Sequence, residues 1–208
     1  MNLDSIYIYV NQLPSYVKDT NDALHTFDNF EFTGSSNYLF SMDVKSLYTC
    51  IPHADGLVAL RHFLDRRPDR YPPTSTLIRL AELVLTLNNF TFNGNHYLQT
   101  TGVAMGTRMG PSYACLFVGF LEEKMMSGYP GPKPLLYKRY IDDIIGATSG
   151  SKEDVQEFIR YADKLHPAVH FTSDISTESI TFLDINVSIN GSSLSTSVHY
   201  KPTDSHSY

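Results

Sequence analysis

Two adjacent carboxylates, Asp142 and Asp143, stand between apolar runs: Leu135-Leu136-Tyr137 precedes them and Ile144-Ile145-Gly146-Ala147 follows. Strand formers on both sides of a short polar pair read as strand, tight turn, strand, with both charges lifted to the tip. Carboxylates placed side by side repel, and a divalent cation is the commonest reason for a fold to keep them. An ordinary acidic turn gives the same dipeptide, so the pair alone constrains the fold more than the chemistry.

A second acidic residue occupies a similar setting far upstream. Tyr38-Leu39-Phe40-Ser41-Met42-Asp43-Val44 reads as a short apolar strand with one carboxylate near its end. By itself Asp43 is a strand-end cap or a surface residue. With Asp142 and Asp143 it makes three carboxylates on two strands that can lie side by side. Two-metal phosphoryl-transfer sites need this arrangement, with oxygen ligands from separate strands holding two Mg²⁺ ions roughly 3.5–4 Å apart.

Five segments extend the pattern: Asp43-Val44-Lys45-Ser46-Leu47-Tyr48-Thr49-Cys50-Ile51-Pro52; Gly102-Val103-Ala104-Met105-Gly106 through Gly110-Pro111; Arg139-Tyr140-Ile141-Asp142-Asp143-Ile144; Ile180-Thr181-Phe182-Leu183-Asp184-Ile185; and Tyr200-Lys201-Pro202-Thr203-Asp204. In this order they resemble the reverse transcriptases, and most closely those of Penelope-like retroelements. Pro14-Ser15-Tyr16-Val17-Lys18-Asp19-Thr20 looks like that family's lead-in helix. The resemblance spans nearly the whole chain.

It implies an RNA-directed DNA polymerase that adds dNTPs to a primer 3′-hydroxyl on an RNA or DNA template, with two Mg²⁺ ions that Mn²⁺ can replace. Asp43 and Asp142 would bind the metals, Asp143 would assist, and the carbonyl of Val44 is a further ligand. Tyr48 matches an aromatic position beneath the incoming sugar that selects deoxynucleotides; a core tyrosine is the alternative. Met105 and Gly106 belong to the loop that would pass beneath the nucleotide. Many reverse transcriptases carry glutamine where Met105 stands, so no fidelity argument from glutamine applies. Tyr140, Tyr200 and Lys201 would meet primer and template, although a lone lysine in a strand is as readily a solvated one. Asp184 is given a structural role. The loop from Asp174 to Ser179 holds no lysine to serve as general acid.

Composition bounds the rest. The chain is 42% hydrophobic and 12% aromatic, which argues for a folded globular domain. No apolar run approaches the roughly 18–20 residues of a membrane span, and the N-terminus lacks a secretory pattern. Cys50 and Cys115 read as reduced, buried thiols of an intracellular protein; a nuclear site follows only by analogy. The histidines show no zinc-ligand spacing with cysteine. The net charge of −6 conflicts with phosphate binding, which normally needs a basic face. Arg61, Arg66, Arg67 and Arg70 form one cluster, either for phosphate or as a solvated helix end paired with Asp65 and Asp69. Lys133, Lys138 and Arg139 form another.

The expected order is a helix over about 15–30, the Asp43 strand, a helix from His53 toward Leu64, and an apolar helix through Leu77, Leu80, Leu83, Val84 and Leu87. A hairpin turning at Asn93-Gly94 follows, then a helix opened by Pro111 and running to about Met126, then the Asp-Asp hairpin. A capped helix begins near Ser151, and strands follow at about 169–173, 179–189 and 194–200. This mixed order predicts an α+β fold: a polymerase palm with a mostly antiparallel sheet, helices packed on one face, and fingers and thumb largely missing. The expectation is a single domain over 1–208, truncated at both ends, with weak or no polymerase activity alone. A catalytically inactive palm remnant that binds nucleic acid or protein is the competing reading. A metal-dependent phosphohydrolase accounts for the carboxylates but not for the glycine loop or Tyr48.

Overall fold

A computed structural model describes residues 6–200. The chain forms two compact units, each assembled from separate stretches of sequence.

The first unit takes in residues up to Pro14, then Val44–Gly128 and Asp163–His170, and within the described residues it is mostly helical. Its elements are α1 (Tyr7–Val10), α3 (Leu47–Cys50), α4 (His53–Leu64), α5 (Thr74–Thr86), α6 (Gly110–Gly128) and a hairpin of β2 (Asn89–Phe92) with β3 (Asn95–Leu98). Helix α6 is apolar on nearly all sides, from Tyr113 through Met125, as a helix wrapped by neighbours must be. At Gly56 a Cβ would strike the Tyr113 hydroxyl, so α4 meets α6 at a spot that only hydrogen can fill. The Asn93-Gly94 turn has positive φ at both residues, the conformation expected of that pair. Helix α5 buries Leu77, Ile78, Ala81 and Leu85, whereas Leu80 and Leu87, expected in its apolar stripe, are exposed.

The second unit takes in Ser15–Asp43, Tyr129–Ala162 and the described residues from Phe171 on. It contains α2 (Thr20–Asp28), β1 (Asn37–Val44, up to Asp43), β4 (Leu136–Tyr140), β5 (Asp143–Ser149), α7 (Lys152–Asp163) and strands β6 (Phe171–Ser176), β7 (Ser179–Phe182), β8 (Ile185–Asn190) and β9 (Ser193–Val198). One sheet has the order β4-β5-β1-β6, with β1–β5 and β4–β5 antiparallel. A second antiparallel sheet has the order β7-β8-β9.

Register fixes the two faces of the larger sheet. Leu39, Ala147 and Leu136 lie abreast, and so do Ser41, Ile145 and Lys138. Leu39, Ala147, Leu136 and Ile145 join Ala23 and Phe27 of α2 and Ile180, Phe182, Ile185 and Val187 of the smaller sheet in one apolar core. The alternate positions Phe40, Gly146 and Tyr137 point the other way, where Phe40 and Tyr137 meet Phe158 of α7. The α+β class with antiparallel sheets and packed helices agrees with expectation. Helix α7 opens with a reciprocal cap: Asp154 N–H donates to Ser151 Oγ at 3.1 Å, and Ser151 N–H donates to Asp154 Oδ2 at 3.0 Å.

Three expected elements come out differently. The helix anticipated from Ser15 begins at Thr20, because Asp19 turns extended and its carboxylate caps Asp22 N–H. The preceding residues are drawn out along β4: Arg139 N–H donates to Ser15 O at 2.6 Å, and Val17 N–H donates to Arg139 O at 2.9 Å. The single strand expected over 179–189 is a hairpin, β7 and β8, turning at Leu183-Asp184. The last strand ends at Val198, leaving Tyr200 exposed beyond it.

Candidate carboxylate site

The Asp-Asp hairpin forms as the sequence predicts, except that the tip is Ile141-Asp142, and Asp143 is the first residue of β5, paired with Tyr140. Ile141 has φ of 56°. That left-handed conformation is rare for a β-branched residue and persists only where the surroundings enforce it. Asp43 lies directly opposite Asp143 on β1. Asp43, Asp143 and Tyr140 therefore form one row across three strands, on the face that also carries the apolar core. Opposed residues on one face of an antiparallel pair have Cβ atoms about 4.5–5.5 Å apart. Val44, next along β1, is buried.

The electrostatics match this crowding. Burial raises the Asp143 carboxyl to about 6, and the neighbouring Asp43 and Asp142 charges push in the same direction. A hydrogen bond from Leu183 N–H to Asp143 Oδ2 (3.2 Å) partly offsets them. Asp43 is raised as well, first by desolvation and then by Asp142. Two like charges facing each other, backed by a third, form a local negative field that hard cations relieve. Among the described residues no three or more His, Cys, Asp or Glu side chains already converge as a closed ligand set. The donors present, carboxylates on rigid strands, are nonetheless of the type that magnesium and manganese prefer.

The Leu183 bond links two turns of the same design. Tyr140-Ile141-Asp142-Asp143 and Phe182-Leu183-Asp184-Ile185 each turn at an aliphatic residue followed by aspartate, and both aliphatic residues have φ of 56°. Asp19, Thr20, Tyr140, Leu183 and Asp184 line an open cleft of 330 Å³ beside them. In the sequence this partnership shows only as the repeated aromatic-aliphatic-Asp pattern.

The nucleotide-contact candidates belong to the helical unit. Ser46 turns left-handed and Leu47–Cys50 closes a helical turn, so the chain does bend at Tyr48 before Pro52. Tyr48 O accepts from Val103 N–H at 2.6 Å, and Gly102 N–H donates to Ile51 O at 2.8 Å. Gly102 has φ of 75°, and a Cβ there would lie 2.6 Å from Thr49 Cα. The Tyr48 segment and the glycine loop are thus stitched into one ledge. Met105 is 70% exposed, and a Cβ on Gly106 would meet nothing within 4 Å. Tyr200 lies at the edge of the described residues, and Lys201 lies outside them.

The expected arginine cluster does not hold together. Arg66 forms a two-pronged pair with Glu123, at 2.7 and 3.1 Å, and His62 shares that carboxylate. Arg67 is buried and donates to the carbonyls of Leu64 and Pro72, while Arg70 reaches Asp65 O. Arg139, grouped in the sequence with exposed Lys133 and half-buried Lys138, has no exposed surface at all. Cys50 and Cys115 are both free thiols, Cys115 buried and Cys50 partly so. No helix among the described residues is long and apolar enough to cross a membrane.

No protein-family model matches the sequence, and neither does any curated protein. Solved structures do. Telomerase from Candida tropicalis without its C-terminal domain aligns over 93% of this chain and 44% of its own, with a TM-score of 0.66 and 16% identity. Telomerase from Candida albicans, in complex with a fragment of telomeric RNA, aligns over 92% of this chain and 36% of its own at 11% identity, with a TM-score of 0.71. The RNA-dependent RNA polymerase of BmCPV aligns over 89% and 19% at 11% identity, with a TM-score of 0.61. The chain therefore has an α+β fold similar to a part of these polymerases, and it spans less than half the length of each.

Proposed function

We propose that the chain is the catalytic palm of an RNA-directed DNA polymerase of Penelope-like retroelement type, transferring dNTPs onto a primer 3′-hydroxyl. The observation that carries this reading is the row in which Asp43 faces Asp143, with Asp142 in the turn beside it. Polymerase folds among the structural relatives and the ordered segments from Asp43 to Lys201 support it.

In this reading Asp43 and Asp142 would hold two Mg²⁺ ions, with Val44 O assisting and Asp143 completing the negative field. The bound ions supply the lowered hydroxyl pKa and the neutralised phosphate charge that nucleotidyl transfer requires. Asp143, retained by Leu183 N–H, sets how much negative charge faces the pair at a given pH. The ledge joining Tyr48 to Gly102–Val103 fixes the main chain that carries the tyrosine, the residue that would select against a 2′-hydroxyl. Exposed Met105 and open Gly106 leave room for a base and a backbone to approach. Tyr140, Tyr200 and Lys201 are assigned to primer and template, and a nuclear site follows from the retroelement reading.

Primer extension on poly(rA)/oligo(dT) with Mg²⁺ or Mn²⁺ tests the assignment, with wild type beside Asp142→Ala. Incorporation by the wild type that disappears in the variant is the expected result. One alternative reading is a palm that binds nucleic acid or protein without catalysis. Folded wild-type protein that neither incorporates nucleotide nor binds Mn²⁺ would establish that alternative.

A further inference from the structure

We propose that Arg139 is a positioning residue whose buried guanidinium holds the carbonyl of Ile141 and thereby fixes the left-handed turn that presents Asp142. The consequence for catalysis rests on the polymerase reading, whereas the geometry does not.

Arg139 is 0% exposed, and its Nη1 donates to Ile141 O at 2.8 Å. Both of its main-chain hydrogen-bonding groups are held on one edge, the N–H by Ser15 O and the C=O by Val17 N–H, while on the other edge it lies opposite Ile144 of β5. The side chain therefore starts from a fixed point and ends on the carbonyl two residues on. In register Arg139 lies abreast of Ile144 and Met42, one step behind the row of Tyr140, Asp143 and Asp43 and on the opposite face. Met42 and Ile144 are fully buried apolar residues. An apolar side chain at 139 could occupy space beside them, and burying a guanidinium is costly unless it is satisfied. What the apolar residue cannot do is hold Ile141 O. A β-branched residue does not stay at positive φ unaided, and the carbonyl that follows this strained φ is the one Arg139 grips. The planar, multi-donor fork of arginine suits such a grip better than the point charge of lysine.

The test is a cycle on the full chain: Arg139→Met, Ile141→Gly and the double variant. The readouts are cooperative unfolding, the Ile141 three-bond HN–Hα coupling and carbon shifts by NMR, Mn²⁺ affinity, and kcat against KM in primer extension. Arg139→Met is expected to return Ile141 to negative φ, weaken Mn²⁺ binding on the order of tenfold, and lower kcat while KM for dTTP holds. Glycine adopts positive φ freely, so Ile141→Gly is expected to recover part of the Arg139→Met loss, which a general packing role would not allow. If Arg139→Met fails to fold, Arg139→Lys takes its place in the same cycle. A folded variant that keeps Ile141 left-handed with Mn²⁺ affinity within twofold of wild type overturns the proposal. If wild type itself shows no Mn²⁺ binding sensitive to Asp142→Asn, the polymerase reading fails, and the Ile141 coupling alone still decides the role of Arg139.

Discussion

Asp143 gives the site its pH dependence. Its carboxyl titrates at about 6 because burial and two neighbouring carboxylates penalise the ionised form. In the unfolded chain the same group titrates near 3.9. Between roughly pH 4 and 6 the folded state therefore binds more protons than the unfolded one, so stability falls as pH rises through that window and is level above it. The Asp143→Asn variant keeps an oxygen for Leu183 N–H and cannot ionise. It is expected to melt at a higher temperature than wild type at pH 7.5 and to lose the decline between pH 4 and 6. An unchanged melting profile in both respects would remove Asp143 as the source of strain. Proton and cation compete for the same oxygens, so wild-type Mn²⁺ affinity should drop as pH falls through about 6. The carboxylates were legible in the sequence because their strand settings and order were distinctive. Arg139 was not: the chain shows a basic residue beside lysines, and only register reveals that it faces the interior.

At the scale of elements, the Tyr48–Gly102 ledge makes the sharpest demand on sequence. Gly102 needs both its positive φ and the absence of a Cβ against the backbone of Tyr48 and Thr49. Gly102→Ala is expected to cost roughly 2 kcal/mol or more, from the disfavoured dihedral together with displacement of the loop. Thermal melts with an intact circular-dichroism signature would measure it, and a loss below about 0.5 kcal/mol would contradict the contact. Elements with strong local chemistry were readable: the Asn93-Gly94 hairpin, the Pro111 helix and the Ser151–Asp154 cap formed where expected. The hairpin of β7 and β8 was not readable, because Leu183 is not a residue that announces a positive-φ turn. The helix expected from Ser15 failed for a related reason. Val17 and Ser15 spend their backbone groups on Arg139, a partner more than 120 positions away that no local pattern discloses.

At the scale of the whole molecule, the polymerase reading requires a chain of net charge −6 to engage nucleic acid. Arg66, Arg67 and Arg70 are occupied by Glu123 and by backbone carbonyls, so these three offer little to phosphate. The three carboxylates also repel a polyanion, a repulsion that bound cations would relieve. Each phosphate contact contributes about −0.9 to the slope of log affinity against log salt. A protein with about two such contacts loses only about tenfold between 50 and 200 mM salt, against a thousandfold or more for six to ten. Fluorescence anisotropy with a primed RNA/DNA duplex is therefore expected to show a shallow slope, and binding strengthened by Mg²⁺ beyond what ionic strength explains. Asp142→Asn should remove the Mg²⁺ enhancement while leaving the slope nearly unchanged, because the cations act at the carboxylates and not along the duplex. A steep slope with no Mg²⁺ enhancement would place the nucleic-acid contacts on a basic surface unrelated to Asp43, Asp142 and Asp143.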